Sequence, residues 1–232
     1  MEWLFNIDAI KLMDYLIEKG VKIDLIVTDP PYDISSISGG GTVNNLKKLN
    51  NSLQDLNQSG LMDSYNIRDF GERIFKLQKD INVYFWCNKK QIPEYIAYYV
   101  LEKKCGFDII NWHKSNALPT YSNKYLSDTE YCLYFRKGKG HCFPQSYEDA
   151  KTYWIAPINH TDKKKWQHPT IKPLEFIEKL IRNSSKEGEL VFDPFMGSGT
   201  TGVACKKLDR NFIGGDLDSK WVNVARERII NG

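Results

Sequence analysis

Val191-Phe192-Asp193-Pro194-Phe195-Met196-Gly197-Ser198-Gly199-Thr200-Thr201 changes local structure twice within a short span. The run from Glu189 to Asp193 predicts a buried strand, Gly197-Ser198-Gly199 a tight turn, and Thr200 to Leu208 a helix. Strand, glycine turn and helix N-terminus together make a cradle for an anion or carboxylate, because the first-turn amides point outward at the positive end of the helix dipole. The stretch is not a P-loop, since no lysine precedes the hydroxyl residues. Nor is it GxGxxG, since Gly202 already lies inside the helix.

Working outward, residues 211–216 predict a strand ending in Gly214-Gly215-Asp216. An acidic side chain there suits a ribose diol, although alone it reads equally as a solvated turn residue. A carboxylate cradle and a ribose clamp without a phosphate-binding lysine point to a nucleoside amino acid such as S-adenosylmethionine. Upstream, Ile23 to Thr28 is a short β-branched run, continuous enough for a strand buried on both faces, and it stops at Asp29-Pro30-Pro31-Tyr32. The paired prolines fix φ and remove amide donors, so the carbonyls there lack ladder partners. Asp29 and the Pro30 carbonyl can each accept an N–H from an exocyclic amine, and Tyr32 can stack on a planar ring. A bare Asp-Pro-Pro also reads as a strand-terminating turn with an Asp cap; the hydrophobic strand before it and the aromatic after it favour the functional reading.

Between these segments, helices predicted at 8–19, 67–79, 91–103, 173–185 and 219–230 alternate with strands at 81–87, 107–113 and 130–136. That alternation is the rhythm of a doubly wound, mostly parallel α/β sheet with a small inserted region. The catalytic body is expected over 1–114 and 166–232, with a target-recognition region at 115–165 and a mobile loop at 35–64 placed to cover a bound base.

Composition narrows the function classes. With 232 residues and 41% hydrophobic content the chain can bury one substantial core, and 13 Tyr, 11 Phe and 6 Trp exclude a disordered sequence. Apolar runs are too short to cross a bilayer, no basic N-terminal region precedes an apolar block, and five scattered cysteines without zinc-ligand spacing fit reduced thiols in a cytoplasm. Net charge is only +3, so local clustering must decide any phosphate binding. Lys137 and Lys139, with Lys163, Lys164 and Lys165, are the expected phosphate contacts. Any one of these pairs alone reads as solvated surface. No metal site is expected.

Four motifs in order resemble the amino DNA methyltransferase family. Thr28-Asp29-Pro30-Pro31-Tyr32 resembles motif IV and Asp193 to Thr201 motif I. His168-Pro169-Thr170-Ile171-Lys172-Pro173 resembles motif X, and Arg210 to Asp216 motif II, with Asp where the family usually has Glu and Trp221 where it commonly has Tyr. Motif IV first and motifs X and I last is the β-class order. The resemblance spans Asn6 to Ile230 and implies the Rossmann-like S-adenosylmethionine-dependent methyltransferase fold, with a seven-stranded sheet. It implies methyl transfer to an amine of a flipped base in double-stranded DNA, by direct displacement. It assigns Asp29, Pro30, Pro31 and Tyr32 to catalysis. Asp193, Phe195, Gly197, Ser198, Gly199, Thr200, Thr201, Asp216, Thr170 and Lys172, with Asp29, would hold S-adenosylmethionine. Trp112, Lys114 and Asn116 resemble a family segment near the target base, and Tyr121, Asn123 and Lys124 are candidate DNA readers. Asp-Pro-Pro-Tyr favours adenine N6, with cytosine N4 as the alternative. An RNA or protein-amide methyltransferase and a non-catalytic DNA-binding module stand further off. The recognition region is short, so either its DNA site is short or a homodimer or another partner adds recognition surface; a cognate restriction endonuclease is a further candidate partner.

Overall fold

The computed structural model describes residues 2–31, 65–119, 123–140, 142–167 and 171–231. Tyr32, the 35–64 loop, Tyr121, His168, Pro169 and Thr170 lie outside the described residues.

The chain builds β1 (Glu2–Asn6), α1 (Ala9–Glu18), β2 (Leu25–Thr28), α2 (Ile67–Leu77) and β3 (Ile81–Cys87). Helix α3 starts at Ile92–Tyr95 and continues as a π-helical stretch, Ile96–Glu102. Then come β4 (Gly106–Lys114), β5 (Thr129–Lys137), α4 (Tyr147–Ala150), β6 (Tyr153–Ala156) and α5 (His160–Trp166). The chain closes with α6 (Leu174–Ser184), β7 (Leu190–Asp193), α7 (Thr200–Lys207), β8 (Asn211–Asp216) and α8 (Ser219–Asn231).

One sheet runs β1-β8-β7-β2-β3-β5-β4-β6. All neighbours are parallel except β5, which is antiparallel to both β3 and β4. The sheet has eight strands rather than the seven expected. The two absent from the sequence reading are the edge strands β1 and β6, both short and partly exposed. Strand β5 lies inside the 115–165 range, yet it pairs along its length with β3 from Ile81↔Lys137 to Cys87↔Tyr131. It is therefore part of the sheet, not of an insertion.

Side-chain alternation covers both faces. Ile26, Val83, Phe85, Phe135 and Phe192 pack against α1, α2 and α3 through Leu12, Phe70, Ile74 and Tyr99. Leu25, Val27, Trp86, Val191 and Phe212 pack against α6, α7 and α8 through Phe176, Ile177, Val203 and Ala225. A strand with both faces covered reads as a continuous apolar run, which is why β3 is buried at every residue. From the central pair the chain leaves in opposite directions: β2 leads to β3 on one side and β7 to β8 on the other. A crevice opens at such a switch point, beyond the carboxyl ends of the strands.

Candidate active site

The β2 and β7 ladder sets the site. Leu25 pairs with Val191 and Ile26 with Phe192, so in-register parallel strands about 4.8 Å apart deliver Asp29-Pro30-Pro31 and the Gly197-Ser198-Gly199 turn to the same sheet edge. A cleft of about 50 Å³ between them is lined by Thr28, Asp29, Asp193, Phe195, Gly197, Ser198 and Thr200, with Trp86 and Lys172.

Asp193 ties the two strand ends together. Its Oδ1 accepts from the Thr28 hydroxyl at 2.8 Å and the Phe195 amide at 3.2 Å, and its Oδ2 accepts from the Thr201 hydroxyl at 2.7 Å. Burial pushes its carboxyl up to about 7, against the pull of those three donors. Its geometry is that of a clamp on the protein's own groups.

Gly197 and Gly199 both adopt positive φ, 49° and 78°, the left-handed region that favours glycine. Gly199 is also the N-cap of α7 and has no side chain to cap it, which leaves the first-turn amides facing the cleft end. Asp216 approaches from β8, where its Oδ2 accepts from the Gly197 amide at 3.0 Å and its Oδ1 from the Asp218 amide at 2.9 Å. Burial raises its carboxyl and those two amides oppose the rise. A carboxylate has about four acceptor positions, so two amide bonds leave capacity for a diol. Amide donors at a helix start, one acidic acceptor nearby and no lysine in the turn suit a zwitterionic nucleoside better than a phosphate. The residues present fit S-adenosylmethionine.

Lys172, just before α6, is buried and places its ammonium 2.7 Å from Asp29 Oδ2 and 2.9 Å from Glu130 Oε2, with the Trp86 ring centroid at 4.7 Å. Lys114, ending β4, stands 2.7 Å from the other Glu130 oxygen. Burial would raise the Glu130 carboxyl, but these two ammonium groups overcome it and hold it at about 2. Gln91 donates to the Pro31 carbonyl at 3.4 Å and accepts from the Asn88 amide at 3.2 Å, bracing the Asp29-Pro30-Pro31 corner from the β3 side.

Glu130, Gln91 and Arg228 were not singled out in the sequence. Arg228 is buried on α8 and donates through Nη1 to the Ser198 carbonyl and hydroxyl, both at 2.7 Å, and to the Thr200 hydroxyl at 3.1 Å. Its guanidinium also lies 5.8 Å from the Trp166 ring centroid. Burial lowers its pKa, opposed by Asp162. A signal existed: Val222, Ala225 and Ile229 form the buried face of α8, and an arginine beside Ile229 on that face calls for a partner. Glu130 is an acid directly before the apolar run Tyr131 to Phe135 of β5, which is the corresponding sign there.

The residues expected to contact DNA divide. Trp112 is 2% exposed and its indole N–H donates to the Ala156 carbonyl at 3.0 Å; it is a core residue holding β4 to β6, and the expectation of a DNA contact is corrected. Lys137 and Lys139 lie away from the catalytic edge. Lys137 pairs with Ile81 at the amino end of β3, its ammonium donates to the Lys103 carbonyl at 2.6 Å, and the Lys139 amide donates to Asp80 at 2.8 Å. Six strand steps, about 20 Å, separate them from the catalytic edge, because β5 runs antiparallel. Asn116 stays near the edge, with its Oδ1 accepting from the Ile158 amide at 2.6 Å. Asn123, Lys124, Lys164 and Lys165 are exposed. Lys163 is partly buried; desolvation lowers its pKa, Glu130 opposes, and Lys114 and Lys172 add to the lowering, which puts α5 beside the carboxylate network.

A DNA methylase family model matches residues 23–227. The chain belongs to the amino DNA methyltransferase family. It is 31% identical to the Type II methyltransferase M2.LlaDCHI of Lactococcus lactis subsp. cremoris, over 99% of this chain and 89% of that protein. It is likewise 31% identical to Type II methyltransferase M2.DpnII of Streptococcus pneumoniae, over 97% and 88%. Its fold matches the crystal structure of the M1.HpyAVI-SAM complex with a TM-score of 0.73 at 26% identity, covering 98% of this chain and all of that one. This methyltransferase carries its motif IV corner and its motif I turn on neighbouring strands. Among the described residues no group of His, Cys, Asp or Glu could hold a metal ion, and no helix is long and apolar enough to cross a membrane.

Proposed function

We propose that this DNA methyltransferase transfers a methyl group from S-adenosylmethionine to the N6 amine of an adenine flipped out of double-stranded DNA. The observation that carries the reading is the delivery of Asp29 and the Gly197–Gly199 turn to one sheet edge by the register of β2 and β7. When bound, S-adenosylmethionine supplies a methyl on a sulfonium; the amine lone pair forms the new N–C bond as the C–S pair returns to sulfur, and the amine loses a proton.

The chain's own residues have three tasks. Asp29 and the Pro30 carbonyl accept the two N–H groups of the amine, which turns its lone pair out of conjugation with the ring. The α7 amides and Asp216 hold the donor at its two polar ends. The neighbouring strand ends bring the two halves together, where proximity and orientation supply on the order of 7–11 kcal/mol. Asp at the first position of motif IV favours adenine over cytosine. Extrusion of the base costs a few kcal/mol, and the recognition surface is assigned to 115–128, 140–152 and 157–165, leaving out the sheet strands β5 and β6.

Nucleoside mass spectrometry of DNA methylated by the purified enzyme tests this. N6-methyladenine is the expected product. N4-methylcytosine would replace the substrate assignment, and the absence of any methylated base would refute the reading.

A further inference from the structure

Four charged groups from separate parts of the chain meet at the catalytic edge: Asp29 after β2, Lys114 at the end of β4, Glu130 in β5 and Lys172 before α6. They alternate in sign. The Lys172 ammonium bridges Asp29 Oδ2 and Glu130 Oε2 at 2.7 and 2.9 Å, and Lys114 closes the row on Glu130 Oε1 at 2.7 Å. Lys172 is 8% exposed, so its charge must be matched by neighbours rather than by water.

We propose that Lys172 is a positioning residue for Asp29 rather than a ligand of the cofactor's methionine end, and that Glu130 is its anchor. The inference rests on Asp29 being the amine-orienting group. Asp29 follows the last residue of a strand, with its side chain partly open to solvent, and its carboxylate has rotamers that point away from the cleft. A charge-assisted bond from a buried ammonium to Oδ2 limits those rotamers and holds the carboxylate at the cleft, where it can accept a substrate N–H. That ammonium alone would offset the negative field Asp29 directs at the amine, which becomes cationic on methylation. Glu130 takes up part of that positive charge and Lys114 in turn balances Glu130, so the row of four is neutral and the Lys172 ammonium is shared between two carboxylates. Glu130 also draws Lys172 from the far side, so the ammonium is held between two fixed points and not free to follow the cofactor.

The test is single-turnover tritium transfer from S-adenosylmethionine to unmethylated duplex DNA, paired with calorimetry of S-adenosylmethionine binding to the intact enzyme. Lys172→Met is expected to lower the transfer rate about 100-fold while the cofactor Kd moves less than threefold, with Lys172→Arg recovering part of the rate. Glu130→Gln, whose side chain is outside the cofactor cleft, is expected to lose about tenfold in rate at unchanged Kd. A Lys172→Met variant whose Kd rises in step with an intact saturated rate would make Lys172 a cofactor ligand and overturn the proposal. A wild-type rate in Glu130→Gln would also overturn it, and this arm stands should Lys172→Met fail to fold. Asp29→Asn separates the two readings. If it is inactive while both network variants keep the wild-type rate, the positioning role alone fails; if Asp29→Asn itself keeps the wild-type rate, the assignment of the amine site fails with it.

Discussion

The Thr28 hydroxyl donates a 2.8 Å hydrogen bond to Asp193 Oδ1, joining the last residue of β2 to the last residue of β7. This buried link holds the two halves of the site at one spacing, and it leaves a carboxyl in the core. Burial raises that carboxyl to about 7, above its unfolded value near 3.8. A raised folded pKa contributes stability that is fully present below the unfolded value and lost as pH rises through the folded one. Across about pH 4 to 7 this residue therefore works progressively against folding, by up to a few kcal/mol at pH 8. Asp193→Asn, which keeps the shape, should raise Tm relative to the parent at pH 8 and give a distinctly smaller gain at pH 5. Thermal unfolding at both values checks it, and an equal change at the two would contradict the assignment.

Gly199 and Gly188 have nearly the same φ, 78° and 79°, but different surroundings. A Cβ on Gly199 would lie 2.7 Å from the Ala225 Cβ and 2.9 Å from its Cα, while one on Gly188 would meet nothing within 4 Å. Left-handed backbone costs an alanine about 1–2 kcal/mol, and only Gly199→Ala must also push α8 away from the turn. Gly188→Ala should lose about 1 kcal/mol and keep cofactor affinity. Gly199→Ala should lose about 3 kcal/mol or more and weaken S-adenosylmethionine binding at least tenfold. Denaturant midpoints and calorimetry decide, and equal losses would remove the packing argument.

Trp112 carries an expectation that the fold reversed. Since its ring is buried and its N–H is bonded to Ala156, Trp112→Ala should cost about 3–5 kcal/mol of stability and detach β6 from β4. The folded fraction of a milder variant, Trp112→Phe, should bind duplex DNA with parental affinity. A DNA-affinity loss in Trp112→Phe without a stability loss would restore the contact role.

How much was legible follows from which signals are local. The β7 strand, its glycine turn and α7 announce themselves within one stretch, because an apolar run, positive-φ glycines and a helix start are all short-range features. The placement of Asp29 beside that turn came from motif order. β1 was missed because Glu2-Trp3-Leu4-Phe5-Asn6 has little pattern of its own; it is a strand because Phe5 pairs with Gly215, more than two hundred residues away. Gly215 also lets α1 approach β8, since a Cβ there would lie 2.5 Å from Leu12, which no local reading detects. Glu130 acquires meaning only once Lys172 and Lys114 converge on it. Charge clusters mislead for the same reason: Lys137 and Lys139 look like a phosphate patch until the direction of β5 carries them to the far edge.

Helix α5 stands by the catalytic edge, since Lys163 feels Glu130, Lys114 and Lys172, and Trp166 lies against Arg228. Its exposed Lys164 and Lys165 are therefore the lysines expected to meet phosphates near an extruded base, whereas Lys137, whose ammonium donates to the Lys103 carbonyl, and Lys139, whose backbone amide donates to Asp80, lie at the opposite edge. Each phosphate contact adds about 0.9 to the slope of log affinity against log salt on duplex DNA. Lys164→Ala with Lys165→Ala should reduce that slope by about 1 to 2, and Lys137→Ala with Lys139→Ala should leave it unchanged within 0.3 or so. Fluorescence anisotropy with a labelled duplex across a salt series measures both. Equal reductions in the two variants would mean that DNA wraps to the amino ends of the strands, and the recognition surface would have to be redrawn around β5.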